Sequence, residues 1–136
     1  MNEKNQKLTH ILFLLRIGVA IVFIMWTGNK FINPINAQEV WSGFFYLPEL
    51  GMAVTLGIAI AEAILVTMFV LGILKNISYL IVLILHSFST FAAYDIYLNA
   101  YAGGPNLLFF AAFPMLAACY AVYSLRDYDT FLTVKL

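Results

Sequence analysis

Hydrophobic positions along this chain fall into four long runs, separated by one long connection and two shorter breaks. Crossing a bilayer takes about 20 consecutive apolar residues in a helix, and the segments at about 9–31, 50–74, 77–98 and 106–125 are long enough. Inside lipid only helices and closed barrels satisfy the backbone, and these runs lack the two-residue alternation of barrel strands. The pattern predicts an all-α fold, a bundle of four transmembrane helices forming a single membrane domain over residues 1–136. Lys75-Asn76 reads as a tight turn that makes spans 2 and 3 an antiparallel hairpin. Ala102-Gly103-Gly104-Pro105 breaks the chain before span 4, with Pro105 suited to a helix start. Pro114 inside span 4 is expected to kink that helix and free a backbone carbonyl.

The first connection, NPINAQEVWSGFFYLPEL, is long and aromatic. Asn36 followed three positions later by Glu39 resembles a capping box. Val40, Trp41, Phe44 and Phe45 then share one helical face. A short interfacial helix is expected between Pro34 and Pro48, its apolar side against the lipid boundary as an aromatic anchor.

Composition supports a membrane setting. Hydrophobic residues make up 63% of the chain and charged residues 10%, against about 25% charged in soluble domains; mean hydropathy is +0.91. Formal net charge is zero, with no basic block, which argues against nucleic acid as a partner. The single cysteine, Cys119, excludes an intrachain disulfide and a Cys-x-x-Cys pair, and reads as a small buried hydrophobe. Lys4, Lys7, Lys75, Arg126 and Lys135 fall on one side of the membrane if both termini are cytoplasmic. The opposite loops carry Glu39, Glu49 and Asp95, with Lys30 their only cation. A multi-pass protein of the cytoplasmic (inner) membrane is the expectation. Its first span reads as uncleaved, because Arg16 and Lys30 interrupt the apolar run and no small-residue cleavage site follows.

Within the spans, ionisable residues are the candidates for chemistry, because charge at membrane depth is costly. Glu62 lies mid-span in GIAIAEAILV, His86 lies midway along span 3, and Arg16 lies in the first half of span 1. Each sits in a stripe of small or polar residues at helical spacing. Counting 1.5 Å per residue from the cytoplasmic ends puts Glu62 and His86 roughly 15 Å deep and Arg16 about 10 Å deep. One buried cluster is therefore expected, an Arg16–Glu62 ion pair with His86 beside it. An unpaired, ionised Glu62 would cost on the order of 3 kcal/mol or more. Such a cluster either locks three helices together or relays protons and hydrogen-bonds a ligand. Phe23, Trp26, Thr27, Lys30, Thr55, Tyr79, Thr90 and Tyr97 are the candidate ligand-binding residues around it. Lys30 near a span end also fits a snorkelling role, and Asp95 fits a solvated rim charge. His10 and His86 lie at different depths and supply no metal-ligand set, so no metal site is expected.

The stretch LLRIGVAIVFIMWTGNKFINP, residues 14–34, resembles the first span of the DoxX family of small four-helix membrane proteins. AEAILVTMFVLGIL, residues 61–74, is similar to that family's second span. The matching positions are Arg16, Gly18, Phe23, Lys30, Phe31, Glu62 and Gly72, while Thr27 stands where the family usually has a glycine and Gly28 follows it. What the resemblance implies is a shared scaffold with several uses. Some relatives look like the quinone-facing membrane part of thiosulfate:quinone oxidoreductase, others accompany methylamine-oxidising or superoxide-handling enzymes, and distant ones resemble receptor-assembly chaperones.

Three functions stay open at this point. One is a redox-associated accessory subunit whose intrabundle polar site binds a quinone or a similar apolar carrier, with electrons coming from a partner. The second is a non-enzymatic assembly or scaffold subunit of a larger complex. The third is a proton or small-solute carrier working through Glu62. Membrane lipid, other membrane or redox subunits and further copies of the chain are the partners these functions imply. No cofactor is fixed by the residues beyond the quinone of the first.

Overall fold

The computed structural model describes residues 3–48 and 50–134. Glu49 and Lys135, which enter the charge distribution above, lie outside the described residues. Helix α1 (Glu3–Ile32) is 30 residues long, about 45 Å at the helical rise. It is followed by α2 (Pro34–Phe45), α3 (Met52–Leu71), α4 (Lys75–Ala92) and a five-residue α5 (Tyr94–Leu98). A 3-10 helix (Asn106–Ala111) runs directly into α6 (Ala112–Ser124). Among the described residues there is no strand. Three segments are long and apolar enough to cross a membrane: α1, α3 and the joined 106–124 stretch. Helix α4 is 18 residues long, opens on Lys75-Asn76 and carries His86, Ser87, Ser89 and Thr90 in its second half, and it is not among those three.

The protein buries several polar side chains and exposes many large apolar ones. Leu14, Met25, Phe88 and Phe91 are each about two-thirds exposed, whereas Arg16, Thr55, Ser78 and Asp129 are fully buried. A soluble monomer rarely exposes so large an apolar surface; lipid tails remove that penalty. The interior core draws Val19 and Phe23 from α1, Val66 and Phe69 from α3, Tyr79 and Val82 from α4, and Cys119 and Val122 from α6. Phe69 meets Tyr79 edge-on at 4.9 Å between centroids, an arrangement that adds a little beyond burial alone.

The expected turn at Lys75-Asn76 lies three residues earlier. Helix α3 stops at Gly72, whose φ of 64° is left-handed, and the Ile73 N–H closes the cap on the Met68 carbonyl at 2.8 Å. Leu74 is also left-handed, with φ 47°, and Lys75-Asn76 become the first turn of α4. Glycine reaches that backbone without a Cβ penalty, while Lys and Asn are at ease inside a helix.

Helix α2 stands where a helix was expected, but two details differ. Pro34 starts it, because a first-turn residue needs no N–H donor. Asn36 is inside the helix and caps nothing; its Oδ1 accepts from Asn29 Nδ2 at 2.8 Å. The apolar side of α2 also turns inward rather than to the lipid boundary. Val40, Trp41, Phe44 and Phe45 line an interior cavity, and Phe44 packs against Phe109 at 5.9 Å. Gln38 Nε2 donates to Thr55 Oγ1 at 3.0 Å, tying α2 to α3. Pro114 is the third residue of α6, and the irregularity associated with it is the 3-10 turn just before that helix.

The start of α1 and the end of the chain meet, since Thr9 Oγ1 donates to the Tyr128 carbonyl at 2.9 Å. We call this the terminal end of the bundle, and the end covered by α2 the loop end.

Candidate functional site

The structure separates the expected Arg16–Glu62–His86 cluster into two polar centres at opposite ends of the bundle. At the terminal end, the fully buried Arg16 pairs with Asp129, also fully buried, through Nη1 to Oδ2 at 3.1 Å. Tyr79 joins them, its hydroxyl accepting from Arg16 Nη1 at 3.0 Å and donating to Asp129 Oδ2 at 2.7 Å. Arg16 Nη2 donates to the carbonyls of Phe131 and Leu132 at 2.8 and 3.2 Å. The chain after α6 is thereby wrapped over the terminal end. Lys75 Nζ donates to the Asp129 carbonyl, and the Val134 N–H bonds the Leu71 carbonyl at 2.8 Å. Gly72 makes room for this tail: a Cβ there would stand 2.6 Å from Thr133 Cγ2 and 2.8 Å from Arg16 Nη1.

That contact also explains why Arg16 cannot reach Glu62. Arg16 is level with Gly72, and Glu62 lies ten residues further along α3, about 15 Å away. Antiparallel packing instead brings the last turns of α1 beside it. Lys30 Nζ bonds Glu62 Oε2 at 2.7 Å, with the two side chains only 12% and 13% exposed. Lys30 does not snorkel outward; it supplies the counter-charge expected of Arg16. An ion pair so nearly dry is not a stability gain in itself, but removing one partner leaves a costly buried charge.

The loop-end pair forms one wall of a cavity of about 320 Å³, near the lower bound for small-molecule sites. Its other walls are mostly aromatic. Phe23 and Trp26 come from α1, Trp41, Phe44 and Phe45 from α2, and Phe109 from the 3-10 helix. His86 lines it too. The imidazole is held from two sides, its Nε2 donating to the Ala112 carbonyl at 3.0 Å and its ring meeting Phe23 edge-on at 6.5 Å. Trp26 lines the cavity while 52% exposed on α1, so the space reaches the lateral surface of the bundle. Trp26 and Trp41 are the only tryptophans in the chain.

Of the sequence candidates, Glu62, His86, Phe23, Trp26 and Lys30 converge on this cavity. Arg16 and Tyr79 belong to the terminal centre. Thr55 is occupied by Gln38, and Thr90 donates to its own helix at the His86 carbonyl, 2.7 Å away. Thr27 is buried with an unpartnered hydroxyl, and Tyr97 packs between Phe110 and Phe113 with its hydroxyl likewise unpartnered. Asp95 is exposed. Sequence reasoning missed Asp129 and the inward aromatic face of α2. A signal for the first was present: fully buried Arg16 requires an acid, and Asp127 and Asp129 follow the last apolar run closely in the sequence.

Fold and site together define an all-helical protein with membrane-length apolar helices, whose interior holds an aromatic cavity bounded by a lysine–glutamate pair. Compared with family models, curated proteins and solved structures, the chain matches none. Any functional conclusion therefore has to come from the site.

Proposed function

We propose that the chain is a DoxX-type protein of the cytoplasmic membrane with four spans and both termini inside. In this proposal it serves as a redox-associated accessory subunit whose loop-end cavity holds a quinone-like apolar molecule. One observation carries the proposal: an aromatic-walled space of about 320 Å³ with Lys30, Glu62 and His86 at its polar side. Flat rings stack favourably on aromatic side chains, and a ring carbonyl needs a donor, which Lys30 Nζ can supply from within its pair with Glu62. His86 and Glu62 are the groups available to handle protons. Arg16 leaves the proposed site, because its Nη1 and Nη2 donate to Asp129, Tyr79 and the tail at the other end of the bundle. The lateral opening beside Trp26 would let a hydrocarbon tail lie in the membrane while the ring sits inside. In this proposal the electrons come from a partner subunit.

For the fourth span, α4 is about 27 Å long at the helical rise, and α5 follows after one residue. Lys4, Lys7, Lys75 and Arg126 gather at the terminal end, the distribution expected of a cytoplasmic face. The positions that carry the DoxX resemblance also meet in pairs across helices, Lys30 with Glu62 and Arg16 beside Gly72.

Purification in mild detergent followed by solvent extraction and redox difference spectroscopy tests the proposal. The expected result is quinone in a stoichiometry near one per chain. Preparations free of quinone that also show no spectral change with added quinone would refute it.

A further inference from the structure

His86 Nε2 faces the Ala112 carbonyl at 3.0 Å, and a carbonyl can only accept, so Nε2 carries the hydrogen. Thr90 Oγ1 sits 3.4 Å from the same nitrogen, with its own hydrogen directed to the His86 carbonyl. The ring is 9% exposed and is hydrogen-bonded to no carboxylate among the described residues. A buried charge without such a partner is costly, so the imidazole is neutral and Nδ1 is an acceptor. Nδ1 makes no hydrogen bond to the described residues. Nor is it one of the sealed, unpartnered polar atoms, which are Arg16 Nε, Thr27 Oγ1, Tyr97 Oη and Asp129 Oδ1. It therefore keeps some access, and the cavity is a space that His86 lines. Lys30, whose ammonium donates, lines the same cavity.

We infer that the cavity selects ligands through a ring hydroxyl donated to His86 Nδ1, so that it favours hydroxyaryl compounds, such as hydroquinones, over quinones and aryl ethers. This rests on the reading of the cavity as a site for an apolar ring. A hydroxyl satisfies the free acceptor, whereas a ketone or ether oxygen sets lone pair against lone pair at Nδ1. Lys30 does not discriminate, because an ammonium donates to all three kinds of oxygen. One neutral hydrogen bond gained or lost corresponds to roughly a 3- to 10-fold difference in affinity. A tenfold preference for a reduced over an oxidised ring would raise the potential of the bound couple by about 30 mV.

The test uses the full-length chain in detergent, under anaerobic conditions, with emission of Trp26 and Trp41 reporting occupancy of the cavity they line. Tetramethylhydroquinone and its dimethyl ether are the probes. The hydroquinone is expected to bind roughly 3- to 10-fold more tightly than the ether. In His86→Phe the ratio falls to about 1, with the ether's own affinity little changed. In His86→Gln, which offers both an amide oxygen and an N–H, most of the preference survives. Equal binding of the two probes by the unaltered chain, or a ratio that persists in His86→Phe, overturns this inference alone. A response to neither probe overturns the cavity reading and the inference together.

Discussion

Replacing Asp129 would remove the one carboxylate that, among the described residues, faces the Arg16 guanidinium inside the bundle. Both side chains are fully buried, so neither water nor lipid headgroup can take over. Removing one partner of such a pair costs about 3–5 kcal/mol, because the remaining charge stays uncompensated. Asp129→Ala also takes away the acceptor of the Tyr79 hydroxyl, now 2.7 Å from Oδ2, and is expected at the upper end of that range. Asp129→Asn keeps an acceptor and should lose roughly half as much, since the carbonyls of Phe131 and Leu132 still receive Arg16 Nη2. For a chain of this length 3–5 kcal/mol corresponds to a fall in Tm on the order of 10 °C. Cys119 makes the assay direct. It is the only thiol, 2% exposed within the core, so a thiol-reactive fluorophore lights up as the bundle opens. The double variant Arg16→Met/Asp129→Leu leaves no stranded charge and should melt above either single variant. A Tm for Asp129→Ala within a degree or two of the unaltered chain, or a double variant as unstable as the two losses summed, would refute the reasoning.

Three other outcomes follow from the same geometry. Gly72→Ala forces a Cβ onto a left-handed residue and against Thr133 and Arg16; at least about 1–2 kcal/mol of stability should be lost, and carboxypeptidase should trim the C-terminal tail faster than in the unaltered chain. Lys30→Met strands Glu62 and is expected to cost about 3 kcal/mol, while the reversed pair Lys30→Glu/Glu62→Lys recovers most of it; a reversed pair no better than the single variant would show that the two charges do not interact. In a Cys119→Ala background, a membrane-impermeant thiol reagent added to intact cells should label Asn36→Cys and spare Asn5→Cys and Asp127→Cys; labelling of all three from outside contradicts the proposed orientation.

Much of the helical layout was legible because membrane-length apolar runs have one economical fold, and α1, α3 and the 106–124 segment fall where those runs predict. The same periodicity placed Glu62, Lys30 and His86 on interior faces. What it could not supply was the level at which two helices meet. Depth counted from the assumed ends of the spans put Arg16 close to Glu62, but α1 begins at Glu3 and α3 ends at Leu71, and that offset exchanges the partners. The tail after Ser124 was illegible for another reason. It has no hydrophobic period, and its grip on Arg16 runs largely through backbone carbonyls, which any residue type provides. The aromatic face of α2 was legible as a face; its direction depended on the cavity beneath it, which no local pattern encodes.

The central claim is that the space between α1, α2 and His86 receives an apolar ring. Titrating a short-chain quinone while recording the emission of Trp26 and Trp41 tests it most directly, in the unaltered chain and in Ala93→Phe, where a phenyl ring grows from a buried alanine on the cavity wall. Saturable quenching is predicted for the unaltered chain, with affinity at least about tenfold weaker in Ala93→Phe at an unchanged Tm. Quenching that is linear in quinone and identical in the two proteins would contradict it.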